Sequence, residues 1–216
     1  MSLRKTPLVT GEYYHIYNRG NSKQTIFHDK NDYYRFIKTL FLSNGEISFK
    51  VFLAGKEVFG FDRGNPLVSI GAYCLMPNHF HLLLTQIEED GISKFMQKLS
   101  TGYSMYYNKK YERTGVLFEG KFKSEHADND RYLKYLFSYI HLNPIKLIDA
   151  NWKEKGIKNK SKAINFLEQY VFSSYQDYIG YNRQQNKIIN MKAFPRYFQN
   201  PTIFKEEIFD WLDFKE

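Results

Sequence analysis

The sequence predicts an α+β domain in which helices cover one face of an antiparallel sheet. Segments that alternate like strands and segments with helical spacing follow one another in the order strand, helix, two strands, helix, strand, helix. The two central strands are joined by Pro77-Asn78, a pair that favours a tight turn. Proline presets φ, and asparagine tolerates a left-handed backbone.

The composition is that of a basic, aromatic chain. Lys and Arg total 31 against 23 Asp and Glu, and the 216 residues include 18 Tyr and 19 Phe. Such a chain suits a nucleic acid, with cations on phosphates and rings under unstacked bases, although a basic protein without that partner has the same composition.

The single cysteine, Cys74, excludes an internal disulfide and a cysteine-based zinc site. We find no signal peptide or membrane-spanning run and expect a soluble, cytoplasmic protein.

The N-terminal elements are a strand and a core-facing helix. Alternating β-rich residues predict a strand over Tyr13–Arg19, and Arg19 at its end is a candidate for phosphate contact or a solvated turn residue. Helical spacing predicts a helix over 29–42, capped by Asp29 or Asn31. The glycine-containing segment 43–66 is predicted to be an irregular insertion, with 48–53 as a candidate strand.

The hairpin and a second helix follow, then a short strand. Alternation predicts strands over 67–76 and 79–86, and apolar spacing predicts a helix over 91–111. The next strand alternates Lys121 and Lys123 with Phe122, so both lysines should project from one face. That arrangement suits contact with a phosphate backbone, although a solvated edge strand has the same pattern.

A third helix and a tail complete the chain. The helix is predicted over 128–143, capped by Asp128, Asn129 or Asp130. It ends because Pro144 cannot continue it and disfavours helical backbone at Asn143. The tail contains a lysine-rich patch over 153–162, most simply a solvated surface. It ends in an amphipathic helix capped by Asn200-Pro201, with Phe204, Ile208, Trp211 and Leu212 on its apolar side.

Two histidines on the second hairpin strand are the first chemical signal. Alternation sends His79 and His81 to one face and Phe80 to the other. Two imidazoles side by side on a rigid strand can supply half of a metal site, although a half-exposed sheet face gives the same pattern. His15 falls in the first strand and is not expected to be a ligand.

The third helix carries the second signal, a face separate from its apolar stripe. Spacings of 3, 4 and 4 place Tyr132, Tyr135, Tyr139 and Asn143 on this face. Two imidazoles and an amide oxygen would form a three-ligand set with open positions, which suits Mg²⁺ or Mn²⁺ about as well as Zn²⁺. Tyr139, one turn before Asn143, would then be the nucleophile.

Tyrosine fits that role because a phenol ionises near pH 10, so a phosphotyrosine keeps a usable leaving group and the strand can be rejoined. Spacing alone leaves other tyrosines open as the nucleophile. They are Tyr132 and Tyr135 on the same face, and Tyr103, Tyr106 and Tyr107 on the preceding helix.

Three motifs, MPNHFHLLL, TGVLFEGKFKS and YLKYLFSYIHLNPIK, together resemble the single-tyrosine HUH transposases, which move insertion sequences as single-stranded DNA. The Tyr-Ile-x-x-Asn-Pro ending is similar to the REP-associated tyrosine transposase branch, and YVFSSYQDYIG resembles the C-terminal extension of that branch. The resemblance covers roughly residues 13–147. Insertion-sequence members commonly have glutamine where Asn143 stands, so the ligand role of Asn143 follows the REP-associated pattern.

The resemblance implies a ferredoxin-like sheet domain over 1–147, with an insertion at about 43–66 and a C-terminal extension over 148–216 packed on it. It implies Tyr139 as nucleophile and His79, His81 and Asn143 as ligands of Mg²⁺ or Mn²⁺. The implied substrate is single-stranded DNA, often cut at the foot of a hairpin, leaving a 5′-phosphotyrosine link and a free 3′-hydroxyl; a second strand then attacks that link. The implied location is bacterial and nucleoid-associated.

Several alternatives stay open. A domesticated relative would bind hairpin DNA without cutting it, and a metal-dependent phosphoesterase would hydrolyse DNA without a covalent step. A replication or mobilisation initiator would use the same chemistry, but such proteins are usually larger, and this chain has no Walker-type glycine-rich loop. Insertion-sequence relatives are homodimers that share active sites, whereas REP-associated ones can act as monomers, so the oligomeric state is open.

Overall fold

Four strands form one antiparallel sheet in the order β2-β3-β1-β4. The strands are β1 Tyr13–Arg19, β2 Val68–Met76, β3 His79–Gln86 and β4 Lys123–His126. The computed structural model describes residues 7–49 and 57–210. One helix follows β1 and another follows β3, which together with the strand order gives the ferredoxin-like arrangement. The predicted α+β class is therefore confirmed.

Helices α1 (Lys30–Ser43) and α2 (Gly91–Lys110) pack together on one face of the sheet. Helix α1 begins at the predicted cap, where the Asp29 carboxylate accepts a hydrogen bond from the Asp32 backbone and the Asp32 carboxylate accepts one in return. The Phe36 ring lies 5.0 Å from that of Phe80 in β3. The side of β3 that carries Phe80 therefore faces the main core.

Helix α3 (Asp130–Leu142) packs on the opposite face, the face that carries the histidines. We expected helices on one face, which is true of α1 and α2 but not of α3. A β-bulge between Ile70 and Ala72 reverses the alternation of β2, so that side chains after the bulge face opposite to the way a regular strand would place them. Beyond the bulge, Ala72 and Cys74 turn toward α3 and form a second core with its apolar stripe.

Two local expectations were wrong. Asn143 has helical dihedral angles, φ −53° and ψ −38°, because the chain continues into a 3₁₀ helix over Asn143–Leu147. Pro144 is tolerated there because the first turn of a helix needs no donor from it. The strand that was to hold both lysines starts only at Lys123, so Lys121 lies in the bend before it. Most of the candidate strand at 48–53 lies outside the described residues.

Short helices make up much of the chain after 147. They are α4 Trp152–Lys155, α5 Lys160–Gln169, α6 Tyr175–Tyr178 and α7 Pro201–Glu207. This segment docks along β2, where the Leu75 amide donates to the Phe172 carbonyl at 3.0 Å. Asn200 caps α7 as predicted, whereas Trp211 and Leu212 lie outside the described residues. The domain boundary at 147 stays a prediction. No helix in the described part of the chain is both long and apolar enough to cross a membrane.

Candidate metal and tyrosine site

The histidine pair lies on β3 beneath helix α3. The rings of His79 and His81 are 4.9 Å apart and perpendicular, and both project from the face opposite Phe80, as the alternation predicts. His81 is 6% exposed, whereas His79 is only partly buried. The pair therefore forms the floor of a site that opens toward solvent beside His79.

Tyr139 on α3 lies next to this floor within the same chain. Its ring is 5.5 Å from that of His81 and 5.7 Å from that of His15, in edge-on contact with both. Tyr132, Tyr135 and Tyr139 stack in a row along α3. The tyrosines of α2 that spacing left open belong to the core on the other face of the sheet. The fold therefore brings the predicted nucleophile to the histidines and places the α2 candidates elsewhere.

Asn143, the third predicted ligand, lies beside the histidine pair. It is buried at the end of α3, and its side chain is close enough to His79 to oppose the lowering of the His79 pKa. His79 Nδ1 lies 2.6 Å from the Asn78 side-chain oxygen, so that nitrogen carries the hydrogen and Nε2 keeps its lone pair. The structure thus brings together two imidazoles and a carboxamide from two different elements.

The protonation of the pair suits a cation. Burial lowers the pKa of His79 to about 4, with Lys146 and Lys153 adding to the effect, while Asn143 opposes it. Burial also lowers the pKa of His81 well below its ordinary value. Both imidazoles are therefore neutral at pH 7, the form that coordinates metals. His81 Nε2 is buried and has no hydrogen-bond partner, and a bound cation would satisfy it.

The donor set is incomplete by itself. Within residues 7–49 and 57–210, no group of three or more His, Cys, Asp or Glu side chains is arranged to hold a metal ion. Two imidazoles and one amide oxygen leave positions for water and phosphate oxygens, as Mg²⁺ and Mn²⁺ require. The residues present therefore fit a divalent ion that is shared with a substrate.

Sequence reasoning missed two neighbours of the site. His15 on β1 contacts both His81 and Tyr139, and Lys153 on α4 places its ammonium nitrogen 3.9 Å from the centre of the Tyr139 ring. Alternation placed His15 in a strand but could not say which face it would share. Lys153 belonged to a patch that looked like solvated surface, and no local pattern distinguished it from the lysines beside it.

The predicted DNA-contacting cations lie around the edge of the sheet. Arg19 is paired with His79 in the β1–β3 register, but its guanidinium forms an ion pair with Glu119. Lys123 is paired with Tyr17 in the β1–β4 register, so it projects from the histidine face. Lys121 is exposed in the preceding bend. Their contact with DNA stays a prediction.

Comparison with known proteins relates part of the sequence and the fold to transposases. Residues 63–143, from the segment before β2 through Asn143, match the family described as "Transposase IS200 like". No curated protein matches the sequence significantly. A solved structure of a REP-associated tyrosine transposase bound to a REP hairpin has the same fold, with a TM-score of 0.53 and 12% sequence identity. The alignment covers 92% of this chain and 99% of that one. Residues 63–143 thus match the IS200-like transposases, and the chain has the fold of a REP-associated tyrosine transposase; both findings agree with the resemblance that the three motifs carry.

Proposed function

We propose that this protein is a metal-dependent endonuclease and strand transferase for single-stranded DNA, with Tyr139 as its nucleophile. The proposal rests on one observation above all. Tyr139 contacts His81 within a single chain, His81 is next to His79, and Asn143 is close enough to His79 to influence its pKa. This part of the surface therefore contains a phenol that can act as a nucleophile, two neutral imidazoles and an amide oxygen.

The proposed reaction conserves the phosphodiester bond. The Tyr139 hydroxyl loses its proton and attacks a backbone phosphorus, forming a phosphotyrosine bond. The bond to the 3′-oxygen breaks, and that oxygen leaves as a free 3′-hydroxyl after gaining a proton. A 3′-hydroxyl from a second strand then attacks the same phosphorus and releases the phenol. A bound Mg²⁺ or Mn²⁺ would polarise the phosphoryl group and neutralise the charge that develops on it.

The proposed substrate is single-stranded DNA that folds into a hairpin. The solved relative with the same fold was bound to a REP hairpin. The net charge of +8 favours a polyanion, and Lys123 and Lys153 approach the site from different sides. Tyr132 and Tyr135 extend a row of stacked aromatic rings from Tyr139, and aromatic side chains beside basic ones are typical of surfaces that bind single strands.

We further propose that one copy of the chain can cut. The His79–His81 pair, Asn143 and Tyr139 all come from the same molecule, and α3 is held over its own sheet by the core that Ala72 and Cys74 share with it. A partner copy is not needed to supply the nucleophile. A homodimer would then serve to hold two DNA ends rather than to complete a site.

Covalent capture tests the proposal. Labelled hairpin oligonucleotides with single-stranded flanks are incubated with the protein and Mg²⁺ or Mn²⁺, and adducts that survive SDS are counted. We expect an adduct that disappears in Tyr139→Phe and in His79→Ala but persists in the matched variants Tyr132→Phe and Tyr135→Phe.

Two results would contradict it. Tight binding with no adduct on any hairpin would make the protein a DNA binder that no longer cuts. Cleavage that persists in Tyr139→Phe would indicate hydrolysis without a covalent step.

A further inference from the structure

His15 on β1 is a buried neighbour of the site that the ligand set does not use. Its side chain is stacked against His81, with ring centres 5.0 Å apart, and its Nε2 lies 2.8 Å from His81 Nδ1. Only 4% of His15 is exposed. A hydrogen bond between two buried imidazoles requires one to donate and the other to accept, so the proton on each ring is placed by its surroundings.

Glu125 on β4 lies on the other side of His15. The register pairs the two residues, and Glu125 Oε2 is 3.6 Å from His15 Nδ1. The Tyr17 hydroxyl donates to this carboxylate at 2.7 Å and the Tyr132 hydroxyl at 3.3 Å. The interaction with His15 lowers the pKa of Glu125 to about 2, with both tyrosines contributing and burial opposing. Glu125 is therefore ionised at neutral pH and can only accept hydrogen bonds.

The negative charge of Glu125 favours one placement of the hydrogens on the two imidazoles. At 3.6 Å the carboxylate is too far from His15 Nδ1 for a hydrogen bond, and that nitrogen has no hydrogen-bond partner, but the charge favours the tautomer whose N–H points toward it. His15 therefore carries its hydrogen on Nδ1 and keeps a lone pair on Nε2. That lone pair accepts from His81, so His81 carries its hydrogen on Nδ1. The remaining nitrogen of His81, Nε2, then has a bare lone pair, and it is buried without a hydrogen-bond partner.

We propose that His15 and Glu125 are positioning residues that hold His81 in the tautomer whose Nε2 can bind the divalent ion. The inference rests on the proposed function, because His15 contacts His81, which is a proposed ligand of the same metal site. A carboxylate behind a histidine fixes the orientation of a ligating imidazole and raises its basicity, and loss of such an outer partner typically weakens metal binding about 10–100-fold.

The first test measures Mn²⁺ affinity by calorimetry in the full chain without DNA. His15→Phe keeps a ring of similar shape and removes both nitrogens, and we expect it to weaken Mn²⁺ binding by about 10-fold or more. Glu125→Gln should have a smaller effect in the same direction. His15→Gln, whose side-chain oxygen can accept from His81 Nδ1, should recover part of the affinity.

A matched control lies on the same sheet. His126 on β4 pairs with Glu12, its Nε2 2.7 Å from the carboxylate, and its ring contacts Tyr14, which belongs to the core on the other face. His126→Phe removes a histidine–glutamate pair of the same kind without touching His81, so we expect unchanged Mn²⁺ affinity. Unchanged affinity in His15→Phe would overturn the proposal.

A second measurement separates this proposal from the proposed function. Nitrogen NMR of imidazole-labelled protein reports which nitrogen of His81 carries the proton, without metal or DNA. We expect the Nδ1–H tautomer in the wild type and in His126→Phe, and a mixture in His15→Phe. A wild type with the proton on Nε2 overturns the positioning role whatever the protein binds. A wild type with the expected tautomer but no Mn²⁺ affinity instead contradicts the metal-dependent function.

Discussion

The ammonium nitrogen of Lys153 lies 3.9 Å from the centre of the Tyr139 ring. Lys153 belongs to α4, beyond the segment that matches the transposase family. A cation above an aromatic ring is attracted by the ring, and the attraction grows when the ring gains negative charge. The C-terminal segment therefore contributes a charge to the candidate site as well as packing against the sheet.

Lys153→Met should slow formation of the covalent adduct more than it weakens DNA binding. The cation–π contact and the nearby phosphate would account for roughly 1–2 kcal/mol, so we expect about a 10-fold lower single-turnover rate and a change in Kd of about 3-fold or less. Lys155→Met, on the same short helix, is the matched control and should match wild type. Equal single-turnover rates of adduct formation in the two variants would show that Lys153 does not act at the site.

The stability of the fold should decrease in acid because of His141. This residue is fully buried on α3, where Nδ1 donates to the Phe137 carbonyl at 2.8 Å and Nε2 accepts from Ser174 at 2.7 Å. Burial lowers its pKa from 6.5 to about 3. Between these two pKa values the unfolded chain binds a proton at this histidine and the folded chain does not. The free energy of unfolding therefore falls from about pH 6.5 toward pH 3, by at most about 1.4 kcal/mol per pH unit.

Urea unfolding at several pH values tests this. His141→Gln should lower the pH slope by close to one proton between about pH 6 and pH 4. The comparison variant is His126→Gln, whose side chain is partly exposed; because burial causes the effect, the change at 141 should be the larger one. If the free energy of unfolding has the same pH slope in His141→Gln as in wild type, then other groups cause the loss of stability in acid.

Salt dependence should separate the predicted DNA contacts. If Lys123 meets a phosphate, Lys123→Ala should reduce the slope of log Kd against log salt by about 1 and weaken binding uniformly across sequences. Lys121→Ala tests the lysine in the bend in the same way. Lys109→Ala, at the exposed end of α2, is the control. A slope that Lys123→Ala leaves unchanged would contradict the assignment.

Arg19 should behave differently because Glu119 already holds it. Glu119→Gln would free the guanidinium for phosphate and remove a negative charge from the edge of the sheet. We expect tighter DNA binding by a few-fold at low salt and a steeper salt dependence, measured by fluorescence anisotropy. Arg19→Ala in the Glu119→Gln background should cancel the gain. Weaker binding in Glu119→Gln would mean that the ion pair itself supports the site.

The ion pair between Arg183 and Asp177 should hold the C-terminal segment against β2. Both side chains are largely buried, and the guanidinium also donates to the Tyr73 hydroxyl at 3.1 Å. Arg183→Met would leave a buried carboxylate without its partner, and we expect a loss of about 3–5 kcal/mol in the free energy of unfolding. The double variant Arg183→Met with Asp177→Asn should recover part of it. If the loss of unfolding free energy in the double variant equals the sum of the losses in the two single variants, the two side chains are not coupled.

Elements defined by local patterns were predictable from the sequence. The strand Tyr13–Arg19 and the strand beginning at His79 match their predicted bounds because alternation and the Pro77-Asn78 turn are local signals. The meeting of His79, His81 and Tyr139 followed from a family resemblance. Spacing alone had left several tyrosines open, since it says which residues share a helix face but not which sheet face that helix covers.

The rest of the site depends on contacts between distant parts of the chain. Glu125 lies beside His15 only because of the register between β4 and β1, which no pattern within either strand specifies. Lys153 reaches Tyr139 only after the segment beyond Asn143 has turned back toward the site. Helical backbone at Asn143 also depended on the following 3₁₀ helix, which accommodates Pro144.

The bulge at Gly71 has a consequence for chemistry some distance away. A side chain at that position would collide with the Phe194 ring, which lies 2.8 Å from where its first carbon would be. If β2 ran through Gly71 as a regular strand, with no bulge, every later residue would face the other way, and Tyr73 and Leu75 would face α3 in place of Ala72 and Cys74. Those bulkier groups would lift the helix off the sheet. The distance between the phenol and the imidazoles therefore depends in part on a strand that supplies no ligand.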